Sequence, residues 1–194
     1  MSILAVAAVG LAVGPSHGEA GATLYVSKLG DNSDGSSWAK AFRTIQAAMS
    51  AVPEGGGHRI IVRPDTYMEA NLFPANRGAE GAYNELIGDV DGSLGSGRQG
   101  WVVLDSSDPE LRGFKSYDWW GPVRAYSHAW SPEHTEPTFS AIGWDRWKLR
   151  NLYVTGGDGG LFFDCTDHVE PFTVIVEDCV SIGRALGGGV ASCL

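Results

Sequence analysis

Two stretches of this chain repeat each other: WKLRNLYV at residues 147–154 and VIVEDCVS at residues 174–181, which begins 27 residues later. Apolar or small residues coincide at 147/174, 149/176, 152/179 and 154/181. A turn-type residue, Asn151 in one copy and Asp178 in the other, separates two short strand patterns. A unit that cannot bury its own apolar face and recurs at this period is typical of a solenoid.

A second match extends the repeat beyond these strands. Two glycines and a cysteine at residues 159–165 recur at residues 187–193, and the offset of 28 predicts one extra loop residue in the second copy. A β-sandwich would also give short strands with glycine-rich turns. The repeat period favours a parallel β-helix over that alternative.

The N-terminal part of the pattern predicts a strand, a helix and another strand. Residues 23–27 are rich in β-forming side chains, and residues 58–62 form a second short apolar run. Between them, apolar residues at three- and four-residue spacing predict an amphipathic helix over residues 38–52, with Ser36 or Ser37 as its N-cap. The apolar positions of this helix are Phe42, Ile45, Met49 and Val52.

This opening resembles the N-terminal region of many secreted bacterial proteins of the pectate-lyase-like superfamily. In those proteins a D-x-x-D-G-x-S-W loop, an A-F-x-T-I-Q helix and a V-x-P-x-T-Y-x-E segment follow one another. The matching residues here are 31–38, 41–47 and 62–69. The resemblance implies an all-β fold, a right-handed parallel β-helix whose N-terminal amphipathic helix caps the open end of the core.

The chain divides into three regions on this interpretation. Residues 1–22 have the apolar stretch and the Ala20-Gly21-Ala22 site of a signal peptide, although a buried helix or a tail is the alternative. Residues 23–57 hold the first strand and the capping helix, and residues 58–194 hold the coils. A long loop insertion is expected at about 105–144, where the periodicity vanishes. The protein is therefore expected to be secreted or held at the cell surface.

Charge limits the classes of partner. A formal charge of −9 disfavours nucleic acid and anionic membrane surfaces, since both need clustered Lys and Arg. No segment approaches transmembrane length, so membrane insertion is not expected. The superfamily resemblance implies a polysaccharide partner instead. We also expect end-to-end self-association through the last coil, because an uncharged edge strand without proline is prone to pair.

Candidate binding residues lie in the expected insertion. Trp119, Trp120 and Trp130 concentrate there, and a partly exposed indole offers a flat apolar face to a sugar ring. The alternative is that these side chains pack the loop onto the solenoid.

Neither a metal site nor a catalytic set stands out in the sequence. The stretches 31–35 and 89–92 resemble calcium loops but lack the full ligand pattern, so turn chemistry is favoured and no cofactor is expected. No polygalacturonase motif is present. The sequence thus favours an extracellular protein that binds or cleaves a polysaccharide, with a non-catalytic surface or adhesion scaffold as the alternative.

Overall fold

The computed structural model describes residues 21–108, 123–126, 141–156, 160–164, 173–183 and 189–190. Within these residues the chain forms twelve short strands and one α-helix, with a 3-10 helix at Ala141–Trp144. The elements are β1 (Thr23–Val26), α1 (Ile45–Ala51), β2 (Arg59–Val62), β3 (Thr66–Met68), β4 (Asn84–Gly88), β5 (Val102–Asp105), β6 (Val123–Tyr126), β7 (Trp147–Arg150), β8 (Leu152–Thr155), β9 (Leu161–Asp164), β10 (Val174–Glu177), β11 (Val180–Ser181) and β12 (Gly189–Val190).

The strands form three open sheets in which every strand pairing is parallel. The first sheet has the order β1-β2-β4-β7-β10, the second β3-β5-β8-β11 and the third β6-β9-β12. From β4 onward the chain visits the first, second and third sheets in turn, three times over. The protein is therefore β-rich and built from parallel sheets, with one short helix among the described residues.

The repeat seen in the sequence sets the register of neighbouring strands. Trp147 pairs with Val174 and Leu149 with Val176, both at the offset of 27, and Val154 pairs with Ser181 at the same offset. The corner residues Asn151 and Asp178 adopt left-handed backbone angles, with φ of 56° and 51°. Asn and Asp tolerate this conformation better than other non-glycine residues, because their short polar side chains bond locally. The predicted two-strand corner is confirmed.

The third sheet corrects one detail of the repeat. Gly189 of β12 pairs with Phe162 of β9, so this sheet also keeps an offset of 27. The expected offset of 28 is therefore wrong where the structure describes the pairing. Strand register follows backbone hydrogen bonding, and most of the matched positions, 159, 165, 187, 188 and 193, lie outside the described residues.

The helix is shorter than the sequence predicted. It spans Ile45–Ala51, and its N-cap is Thr44, whose side chain accepts a hydrogen bond from the N–H of Ala47, rather than Ser36 or Ser37. The preceding residues form a loop instead, because their backbone groups pair with β1: Tyr25 donates to the carbonyl of Gly35, and Phe42 donates to the carbonyl of Tyr25. Competition from these β-type bonds delays the start of the helix to Ile45.

Of the four predicted apolar positions, Ile45 and Met49 lie in the helix and are buried as expected, whereas Phe42 precedes the helix and Val52 is its C-cap. Its buried residues Ile45, Ala48 and Met49 lie against β1 and β2 and join the hydrophobic core. That core continues between the sheets along rows of paired inward residues. One row, from β1 to β7, consists of Leu24, Ile60, Leu86 and Leu149.

Hydrogen bonds to the backbone fix the segment that follows β2. Tyr67 is buried, and its hydroxyl donates to the carbonyl of Arg63 at 3.0 Å. Glu69 reaches back to the helix, where its two carboxylate oxygens accept from the N–H groups of Ile45 at 2.7 Å and Gln46 at 2.9 Å. Glu69 thus satisfies N–H groups that the first turn of a helix leaves without intrahelical partners.

One strand lies where only a loop was expected. β6 falls inside residues 105–144 and pairs with β9 in the third sheet. The sequence analysis missed it because Val123–Tyr126 is too short to show alternation. Residues 1–20 of the expected signal peptide lie outside the described residues.

Candidate functional site

The outer face of the second sheet carries an ordered row of side chains. Burial alternates along β5 and β8, so every second residue points away from the core. The register brings Thr66, Val103, Tyr153 and Val180 into one outward row across four strands. With neighbouring strands about 4.8 Å apart, this face is about 14 Å wide.

Trp101 lies at one end of this face, immediately before β5. Its side chain is 49% exposed, and its ring centroid lies 6.2 Å from that of Tyr153 in an edge-to-face arrangement at 61°. In the part of the chain that the structure describes, neither the indole N–H nor the Tyr153 hydroxyl has a hydrogen-bond partner. We call Trp101 and Tyr153 the aromatic pair.

The loop before β5 positions this indole. Gly100 has a φ of 135°, a left-handed value that glycine adopts readily, and its N–H donates to the carbonyl of Val90 at 2.8 Å. The same loop is held by the buried side chain of Asp89, which accepts from the N–H groups of Leu94 at 2.9 Å and Ser96 at 2.8 Å. The loop that holds Trp101 is therefore itself fixed by hydrogen bonds.

A second outward row contributes polar groups. Met68, Asp105 and Thr155 are paired neighbours on β3, β5 and β8. The Oδ1 of Asp105 accepts from the N–H of Ser107 at 2.8 Å, and its other oxygen has no partner within the described residues. Gly156 allows this placement, because a Cβ there would lie 2.2 Å from Asp105 Oδ1.

Charged side chains border the face beside β3. Lys28 Nζ lies 3.3 Å from a carboxylate oxygen of Asp65, and Arg98 lies 3.7 Å from the other. Burial alone would raise the pKa of Asp65, but the N–H of Thr66 and the two cations outweigh it and hold the pKa below its ordinary value. Both cations therefore face an ionised partner at neutral pH.

The arrangement can stack an apolar ring face and bond hydroxyl groups around it. Exposed aromatic side chains supply a flat apolar surface with a polar tip. The Trp101 N–H can donate, the Asp105 carboxylate can accept, and the hydroxyls of Tyr153 and Thr155 can do either. These are the groups that a sugar ring with one apolar face and peripheral hydroxyls requires.

The binding residues that the sequence singled out cannot be compared with this face. Trp119, Trp120 and Trp130 lie outside the described residues, so their role stays a prediction. Tryptophan content alone did not single out the aromatic pair, because it does not show which side of a sheet an aromatic side chain faces. The alternation of buried and exposed positions along β5 and β8 was the signal that could have found them.

The calcium-like stretches form turns. Asp31, Asp34 and Asp91 each accept from the N–H of the serine two residues later, at 2.9–3.0 Å. Hydrogen bonds from Ser36, with a contribution from Lys40, hold the pKa of Asp34 well below its ordinary value. Among the described residues, no group of three or more His, Cys, Asp or Glu side chains could hold a metal ion.

Comparisons with known proteins add no relative. No protein family, no curated protein and no solved structure matches this chain. Within the described ranges, no helix has both the length and the hydropathy needed to span a membrane.

Proposed function

We propose that the chain is a right-handed parallel β-helix of the pectate-lyase-like kind, capped by α1. Two observations support this architecture: the repeated visit to three sheets in fixed order, and the shared offset of 27 in all three. Connections that return a chain to a parallel strand of the same sheet are right-handed in about 98% of cases, which favours that hand here.

The function we propose is extracellular binding of a polysaccharide on the outer face of the second sheet. The observation that carries it is the half-exposed Trp101 indole in edge-to-face contact with Tyr153, with polar groups on the same face that have no partner among the described residues. Export is supported by the signal-peptide pattern of residues 1–22. Sequencing the N-terminus of secreted protein tests this part, with Thr23 expected first and an intact Met1 contradicting it.

A glycan array tests the binding. The wild type should bind at least one polysaccharide, and Trp101→Ala should weaken binding about tenfold, since burying about 60 Å² of apolar indole surface contributes about 1.5 kcal/mol. Trp38→Ala is the control for loss of an indole at another aromatic contact, because Trp38 packs on Tyr25 of β1 with ring centroids 4.7 Å apart and planes at 55°. Trp38 also lies against Gly95 of the loop before β5, so this control includes any effect of loosening that loop. Circular dichroism should show both variants folded.

The same experiment separates binding from the alternative roles. Reducing-sugar and unsaturated-product assays on each bound glycan report cleavage, and bound but uncleaved glycan would favour a non-catalytic scaffold. Absence of binding to any glycan, or equal binding by wild type and Trp101→Ala, would contradict the proposed site.

A further inference from the structure

We infer that the outer face of the second sheet selects neutral glycans over acidic ones, an inference that rests on the proposed function. It concerns the class of sugar, which the aromatic pair alone does not define, because every pyranose offers an apolar ring face. The preference for neutral over acidic sugars comes from the Asp105 carboxylate and from the charged side chains beside β3.

The only carboxylate in the two outward rows belongs to Asp105, among the residues that the structure describes. It stands one strand position from Thr155 and two residues beyond Val103, which pairs with Tyr153. One of its oxygens is held by Ser107, and the other is available to accept a hydrogen bond. A sugar hydroxyl can donate there, whereas the carboxylate of a uronic acid would be repelled.

The cations beside β3 do not reverse this preference. Lys28 and Arg98 both contact Asp65, so each is directed toward a carboxylate of the protein. Lys28 also donates to the carbonyl of Thr66 and lies over the Tyr67 ring, 5.6 Å from its centroid. Arg63 is likewise directed toward the protein, since its Nε donates to the carbonyl of Ser96 at 3.2 Å. The whole chain carries a formal charge of −9.

The position of Asp105 is fixed by its neighbourhood, so it can act as a specificity-determining residue. Gly156 leaves room for the carboxylate, since a Cβ would lie 2.2 Å from Oδ1. The N–H of Ser107 binds that same oxygen at 2.8 Å. Both contacts hold Oδ1 against the backbone, and the second oxygen has no partner among the described residues.

The test compares hexasaccharides of equal length: cellohexaose, xylohexaose and mannohexaose against hexagalacturonate. At least one neutral probe should bind about tenfold more tightly than hexagalacturonate, because a second carboxylate near Asp105 meets a like charge. Its affinity should not change between low and high salt, since no ion pair forms. Asp105→Asn should weaken the binding of the neutral hexasaccharide several-fold and reduce the ratio between the affinities for the neutral and the acidic hexasaccharide. Asp91→Asn, in an exposed turn, should change neither the affinity nor the ratio.

The outcomes distinguish this inference from the proposed function. Equal or tighter binding of hexagalacturonate, with or without added Ca²⁺, would overturn the neutral preference while leaving glycan binding in place. An Asp105→Asn variant with unchanged selectivity would overturn the role of Asp105. If none of the four probes and no array glycan binds, the proposed function itself is overturned.

Discussion

Truncating one core residue tests whether the repeats share a continuous core. Leu149 is fully buried in the middle of the row that runs through Leu86 and Val176. Leu149→Ala removes apolar contacts on both sides and leaves a cavity between two strands. Such changes in well-packed cores cost about 2–5 kcal/mol, so we expect a loss of about 3 kcal/mol in the free energy of unfolding.

Leu29→Ala is the matched control for this prediction. The chemical change is identical, but Leu29 is 77% exposed, so the loss should stay within about 0.5 kcal/mol. Urea unfolding followed by circular dichroism measures both losses from the transition midpoint and slope. If Leu149→Ala does not fold, Ile60→Val in the same row should cost about 1 kcal/mol. Losses of equal size at Leu149 and Leu29 would refute a continuous core.

Three other perturbations have definite expected results. Burial raises the pKa of Glu69 above its ordinary value of 4.5, because its effect outweighs that of the hydrogen bonds from the N–H groups of Gln46 and Ile45, which lower the pKa. The protonated form is thus favoured in the folded state, and the stability of the wild type relative to Glu69→Gln should fall as pH rises through the raised pKa. A flat difference in urea unfolding across that range would contradict this. Asp89→Ala leaves two loop N–H groups without their acceptor and should cost about 1–3 kcal/mol, with Asp89→Asn intermediate in thermal or urea unfolding. Val176 continues the core row yet is 39% exposed, so Val176→Lys should reduce self-association in light scattering, and a wild type that stays monomeric at high concentration would count against that.

The two-strand corner and its register at the offset of 27 were predictable because they rest on local and periodic signals. The repeat that pairs Leu149 with Val176 is visible in the sequence, and the left-handed corner residues Asn151 and Asp178 are of the types that such corners favour. The helix boundary was not predictable from spacing, since backbone bonds between β1 and the following loop compete with helix formation. The backbone bonds to β1 therefore set the residue at which the helix begins.

The candidate site was harder to predict than the fold. The concentration of tryptophans predicted a binding site at residues 119–130. Among the described residues, the exposed indole is that of Trp101. Whether an aromatic residue at a strand faces the core or the solvent depends on sheet register, as the fully buried Trp147 of β7 illustrates. The role of Glu69 as a cap for α1 was also invisible, because the two lie more than twenty residues apart.

The indole N–H signals in a ¹H–¹⁵N NMR spectrum test the central claim most directly. The seven tryptophans give distinguishable signals, and Trp101→Phe identifies the one from Trp101 by its loss. On titration with whichever of the three neutral hexasaccharides binds most tightly, the Trp101 signal should shift in a saturable manner. The Trp144 and Trp147 signals should stay in place, because these side chains are buried and their N–H groups donate to the carbonyls of Leu72 and Asn76. A saturable shift confined to signals other than that of Trp101 would contradict a binding site on this face.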